Sequence, residues 1–287
     1  MRYSLASAAG KGRINEDVVA VFEGDGCTDL VLLDGATPLT DDRCLALGAS
    51  DPAWFVRRFV RELGCVLRPD AEQHTLVQEA LDGTRAAYRA AGGSADVPPH
   101  AWPIATLAWV RVRDPDAAGT HALEWFCLGD SKVLLQLADG TVRDLDPFEN
   151  PQERATQAHV AELVAEGIHD PAERWARLLP MLRARRQEQN TAARPAVLCL
   201  EPRGPFDARA ARGEAPPGAL LLVASDGLYR LVDTYNLYTD ASLLDACRTR
   251  GLDALLDELR AFEAGKEAAG LAAKTADDAS AIAWRFT

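Results

Sequence analysis

Several stretches of this chain set carboxylates at the ends of apolar runs. Leu30 to Leu33 runs into Asp34-Gly35, and "LEWFCL" runs into Gly129-Asp130. Ala219 to Ala224 runs through Ser225 into Asp226-Gly227. Glu16-Asp17 stands just before Val18 to Phe22, and Asp277-Asp278 just before "ASAIAWRF". Short apolar runs of this kind read as buried strands, so each carboxylate stands at the mouth of a hydrophobic core. A buried carboxylate without a partner costs several kcal/mol. If the strand ends converge, Glu16, Asp17, Asp34, Asp130, Asp226 and Asp277 crowd one site, and like charges at that density repel. A hard divalent cation resolves the repulsion, because Mg²⁺ and Mn²⁺ take carboxylate, carbonyl and water oxygens. Glycine beside an aspartate lets the backbone carbonyl approach such an ion. A single Asp-Gly after a strand is an ordinary turn signal; number and order make the set informative.

The chain's pattern supplies the strands in blocks. Val18 to Phe22 and Leu30 to Leu33 are expected strands, followed by two amphipathic helices. Asp51 is the expected N-cap of the first, with Pro52 at the first helical position and Phe55, Phe59 and Leu63 on its apolar face. The second is expected to open at Asp70, with Gln73 placed as in a capping box. "IATLAWVRV" reads as a strand, and "HALEWFCLGDSKVLLQLADGTVRDL" as a hairpin or meander around Gly129-Asp130 and Asp139-Gly140. Pro151 to Gln189 is helical, with Asp170-Pro171 a second cap-like start. "AVLCL" and "ALLLVA" are strands separated by the loop "EPRGPFDARAARGEAPPG". A helical stretch covers about Ala241 to Ala269, and "SAIAWRF" is a closing strand. Strands and helices in blocks favour α+β with antiparallel sheet over a doubly wound fold. No repeat or low-complexity linker interrupts the pattern, so one domain over residues 1–287 is expected.

The net charge of −12 argues against a nucleic-acid backbone as partner. Six scattered cysteines with no CxxC pair argue against a disulfide framework or zinc site; Cys65 and Cys127 are expected to serve as small buried hydrophobes. "MRYSLASAAGKGR" lacks the apolar centre of a signal peptide, and no run approaches the ~20 apolar residues of a membrane span. A soluble cytoplasmic monomer without membrane contact is expected.

"GRINEDVVAV", "LVLLDGAT", "IATLAW", "LGDSKVLL", "LLVASDGLYRLVD" and "DDASAIAW" fall in the order of the signature segments of the metal-dependent protein phosphatases, the type 2C family. The chain resembles that family from Arg13 to Trp284. The resemblance implies a central sandwich of two antiparallel β-sheets flanked by α-helices on both sides, with a helical flap at about 147–192. It implies hydrolysis of a phosphomonoester, most naturally phosphoserine or phosphothreonine in a protein, by water activated between two metals, with two or three Mn²⁺ or Mg²⁺ ions as cofactors. Carried over, Asp34 bridges two metals and Gly35 offers its carbonyl. Glu16 acts on one metal, directly or through water, and Asp17 orients that shell. Asp226 and Asp277 hold the other metal, Asp130 helps bind a third, and Arg13 binds the substrate phosphate. The chain departs from the pattern at Asp34-Gly35-Ala36-Thr37-Pro38, which lacks two later glycines, and Ala36 stands where many eukaryotic members carry a histidine. Asp278 replaces the common asparagine, and Arg13 stands one residue closer to Glu16-Asp17 than in many bacterial members.

Rival readings are weaker. A haloacid-dehalogenase motif needs an aspartate at Ala36, and "GKGR" lacks the glycine spacing of a phosphate loop. A pseudophosphatase that binds phosphoproteins without turnover remains the alternative from another class, favoured by the lost glycines and disfavoured by the retained acids. Ser131 and Ser225 read as turn residues, since no base accompanies them. The five histidines are expected at the surface or in loops, and Arg183 to Gln187 as a solvated helix face.

Overall fold

The computed structural model describes residues 2–10, 14–41, 43–45, 50–94, 96–265, 271 and 276–287. Among them, strands β1 (Tyr3–Ala8), β2 (Asp17–Gly24) and β3 (Cys27–Gly35) precede helices α1 (Asp51–Val66) and α2 (Gln73–Ala90). Strands β4 (Ile104–Pro115), β5 (His121–Leu128), β6 (Lys132–Gln136) and β7 (Val142–Asp144) follow. Helices α3 (Pro151–Ala165) and α4 (Pro171–Thr191) lead to β8 (Leu198–Cys199), β9 (Arg209–Ala215) and β10 (Leu220–Ala224). The chain ends with α5 (Asp226–Asp233), α6 (Asp240–Arg250), α7 (Leu252–Glu263) and β11 (Ala279–Arg285).

All strand pairings are antiparallel and form two sheets. One has the order β1-β11-β10-β6-β7; the other runs β2-β3-β4-β5-β9, with β8 pairing the start of β4. Side chains alternate across a strand, and β3 uses both faces. Leu30 and Leu32 pack with Val223, Ile282 and Trp284 between the sheets, whereas Val31 and Leu33 pack with Phe55, Phe59 and Leu76 of α1 and α2. On the far side, Leu222 and Leu228 pack with Leu243, Leu255 and Leu259 of the last three helices. The result is the expected α-β-β-α sandwich. Each fully buried leucine contributes about 1.5–3 kcal/mol, which is why strand interiors here carry unbroken apolar runs.

The register fixes where the acids fall. Asp17 of β2 lies opposite Asp34 of β3, and Asp34 lies opposite Thr106 of β4. Gly129-Asp130 forms no hairpin: β5 belongs to one sheet and β6 to the other, so this turn carries the chain across the sandwich. The hairpin lies instead between β6 and β7, around Asp139-Gly140.

Other local expectations shift. Ser50, not Asp51, caps α1, accepting from the Ala53 N–H at 3.2 Å, while Asp51 accepts from the Cys44 N–H at 2.6 Å. The second helix starts at Gln73 without a side-chain cap, and Gln73 instead donates to the Trp109 carbonyl at 3.2 Å. The expected loop after "AVLCL" contains β9, and β1 arises in the N-terminal segment. The helical stretch divides at Gly251, and its residues 266–269 lie outside the described set. Cys127 is buried as expected but Cys65 is exposed. His121 is also buried, against Phe286 at 5.2 Å.

Two glycines are dictated by close approach. A Cβ at Gly35 would stand 2.8 Å from the Glu16 carbonyl oxygen, and one at Gly227 would stand 1.9 Å from that of Asp278. Gly227 thus lets the first turn of α5 press against the start of β11, which brings Asp226 to Asp277. Gly227→Ala is therefore expected to destabilise the fold by about 1–3 kcal/mol, the usual cost of overpacking. Urea denaturation checks this; a midpoint equal to wild type would remove the packing argument.

Candidate metal centre

A cavity of about 290 Å³ opens where the two sheets meet the helices, and Asp34, Gly35, Asp130, Asp226, Arg230 and Asp277 all line it. Asp34 arrives from the end of β3, Asp130 from the crossing between sheets, Asp226 from the first turn of α5 and Asp277 from the approach to β11. Asp17 does not line the cavity; it lies on β2 opposite Asp34 and is almost fully buried. Glu16 faces an adjoining cavity with Ser50 and Trp175, and accepts a hydrogen bond from the Ser50 hydroxyl. Asn150 donates to Asp130 Oδ2 at 2.7 Å. Arg230 Nη2 donates to Asp277 Oδ2 at 2.8 Å.

Negative charge accumulates here. Burial, then the charges of Asp17 and Asp226, push the Asp34 carboxyl well above the usual carboxylate range, and Asp226 is within hydrogen-bonding reach of it. Burial pushes Asp17 up to about 7, with Asp226 and Asp278 adding to the rise. Burial and Asp226 push Asp130 up to about 6, although the Asn150 hydrogen bond works against the shift. Among the described residues, no three acidic, histidine or cysteine side chains are arranged as a finished cage for an ion. The donor chemistry nevertheless fits a hard divalent cation. The Asp17 carboxylate is almost fully buried beside Asp226 and Asp278, with only the Ser280 and Ser225 hydroxyls to offset its burial, a state that costs several kcal/mol unless a cation or proton compensates it.

Several supporting residues escaped the sequence. Asp278 accepts from the Gly10 N–H at 2.7 Å and the Glu16 N–H at 2.6 Å, which clamps the Glu16 strand onto the Asp277 segment. Arg209 of β9 holds Asp146 at 2.6 Å and also donates to the Gly129 carbonyl, fixing the turn that carries Asp130. Arg183, Arg185 and Arg186 of α4 are not a solvated face. Arg185 donates to the Gln152 carbonyl at 2.7 Å, Arg186 donates to the Thr37 carbonyl at 3.3 Å, and both line the cavity. Burial lowers the Arg186 guanidinium to about 10. Trp175 and Leu182 face the same space. Ser131 and Ser225 are engaged as turn residues: Ser131 pairs with the Thr106 hydroxyl at 2.7 Å, and Ser225 accepts from the Ser280 N–H at 2.9 Å. Arg13 lies outside the described residues. The clamp at Asp278 had a sequence signal in its position beside Asp277; the arginines had none beyond their charge.

Solved structures share this architecture. The serine/threonine phosphatase PstP/Ppp of Mycobacterium tuberculosis superposes with a TM-score of 0.54 at 19% identity, covering 100% of this chain and 99% of that one. The catalytic domain of PstP in complex with two manganese ions gives 0.53 at 18% identity, over 98% of this chain and 96% of that one. A phosphatase from Toxoplasma gondii gives 0.56 at 13% identity, over 99% and 92%. No curated protein sequence matches the chain. At such identities the likeness shows the fold alone, a sandwich of two antiparallel sheets. Residues 6–261 match the family model for protein phosphatase 2C, and the chain belongs to that family of metal-dependent phosphatases.

The raised carboxyls make stability depend on pH. Folding favours the protonated form of a group whose pKa rises from an ordinary ~3.9. That stabilisation is complete below the unfolded value and lost as pH rises through about 6 for Asp130 and about 7 for Asp17. In EDTA the melting temperature is expected to fall between about pH 4 and about pH 7, and saturating Mn²⁺ to suppress the fall by favouring the ionised forms. A metal-free melting temperature that rises over that range would contradict the electrostatic account.

Proposed function

We propose that the chain hydrolyses phosphoserine and phosphothreonine in proteins at this cavity, with two tightly held Mn²⁺ or Mg²⁺ ions and a weaker third. The observation that carries the assignment is the opposition of Asp17 and Asp34 across one strand pair, with Asp226 and Asp277 closing on the same point. Asp34, with the Gly35 carbonyl as a neutral donor, would hold the core ions together with Asp226 and Asp277. Glu16, its carboxylate steadied by Ser50, would serve one of them with Asp17 in support, and Asp130, steadied by Asn150, would serve the third.

Bound divalent ions supply Lewis acidity toward the phosphoryl oxygens and lower the pKa of the attacking water. The chain's own part is to orient and enclose. Ser131 and Ser225 have their hydroxyls engaged as turn residues, with Thr106 and the Ser280 N–H, which favours direct attack by water over a phosphoenzyme. Arg13 is proposed to grip the phosphate bidentately. Residues 147–192 act as a flap on a single domain spanning 1–287, with Trp175, Leu178 and Leu182 forming an apolar wall beside the acids. Such a wall suits the side chain and backbone of a phosphopeptide. The proposal includes a monomer in the cytoplasm acting without nucleic acid or membrane.

Mn²⁺-dependent hydrolysis of p-nitrophenyl phosphate tests the assignment. Activity should vanish in EDTA and in Asp34→Ala, which should also lose tight metal. Asp130→Ala should keep tight metal and lose one to two orders of magnitude in rate, about 1.4–2.7 kcal/mol of transition-state stabilisation. Trp175→Ala should raise KM for a phosphothreonine peptide and spare the small substrate. Full turnover in excess EDTA would refute metal dependence, and loss of tight metal from Asp130→Ala would refute the division of roles.

A further inference from the structure

Arg230 is the unexpected member of the cavity wall. It stands four residues after Asp226 on α5, and therefore on the same helix face. Its side chain is only 13% exposed, and Nη2 lies 2.8 Å from Asp277 Oδ2. It shares the cavity lining with Asp34, Asp130, Asp226 and Asp277. A guanidinium stays charged at any pH the protein meets, so this cation cannot be titrated away. The position is not explained by Glu263 alone. That carboxylate is 4.0 Å from Arg230 Nη1, whereas Arg260 reaches its other oxygen at 2.5 Å.

We propose that Arg230 is a built-in counter-cation of the carboxylate centre, one that neutralises Asp277 in the metal-free chain and competes with a divalent ion for it. The inference rests on the metal-centre assignment above and deepens it. Asp277 Oδ2 is occupied by a fixed positive charge, so an arriving ion must share that oxygen or displace the guanidinium. Either path opposes binding, because two cations are then held a few ångströms apart in a poorly screened cavity. The metal-free chain correspondingly folds with part of its acidic charge already compensated. The centre would therefore fill only at higher free metal, and occupancy would follow metal supply.

Calorimetric Mn²⁺ titration of wild type, Arg230→Gln and Arg230→Lys, with melting curves in EDTA and in saturating Mn²⁺, tests the proposal. Arg230→Gln should bind Mn²⁺ about tenfold more tightly or take up an additional equivalent, since a nearby like charge is gone. Its melting temperature should drop in EDTA and recover in Mn²⁺. Arg230→Lys, which keeps the charge, should titrate close to wild type. If Arg230→Gln does not fold, Arg230→Met, which retains most of the volume, carries the same expectation. Wild-type Mn²⁺ binding unchanged in the neutral variants, with equal destabilisation in both conditions, would make Arg230 a structural tie and overturn the inference alone. Absence of Mn²⁺ binding from every form would overturn the metal-centre assignment and the inference with it.

Discussion

The structure depends on one unfavourable interaction, the crowding of carboxylates at the mouth of the sandwich. Asp17 and Asp34 face each other across paired strands, an arrangement that is destabilising for like charges. Asp226 adds a third carboxylate within reach of Asp34. Their cost is tolerated because protons, guanidinium or divalent cations can offset it.

The scaffold is built to enforce that crowding. Asp278 ties the Glu16 backbone to the strand end that carries Asp277. Gly227 lets α5 approach the same segment at a distance no side chain would permit. Arg209 fixes the crossing between sheets that delivers Asp130. Each tie joins segments far apart in sequence, so the centre assembles only when both sheets have formed. Opposite the acids, α4 supplies Trp175, Arg185 and Arg186 to the cavity wall.

How much of this was legible depended on whether a signal was local. The acids Asp34, Asp130, Asp226 and Asp277 could be found because each interrupts an apolar run, and strand burial explains the run. The layers followed from the block order of strands and helices. What failed was information held by partners. A tight turn at Gly129-Asp130 looks the same whether the next strand pairs with the last or joins the other sheet. β9 reads "RAARGEA" because it pairs on one side with β5 and remains largely exposed, so it lacks strand patterning. β1 is held by its register with β11 more than by its own composition. Arg183 to Gln187 looks like a solvated run until α4 is laid over the cavity, and Arg230 looks like any helix arginine until Asp277 arrives from the other end of the chain. The cap shift from Asp51 to Ser50 reflects two adjacent residues that both accept hydrogen bonds well.

Membership of the protein phosphatase 2C family and the charge geometry converge on the same requirement, that cations complete the centre. Anomalous diffraction at the manganese edge from crystals equilibrated with Mn²⁺ tests it most directly. The account predicts two strong peaks bridged by Asp34, one bordered by the Gly35 carbonyl and the other by Asp226 and Asp277, with any third peak weaker and beside Asp130. Well-ordered crystals in saturating Mn²⁺ that show no peak in this cavity, while the carboxylates keep their metal-free positions, would contradict it.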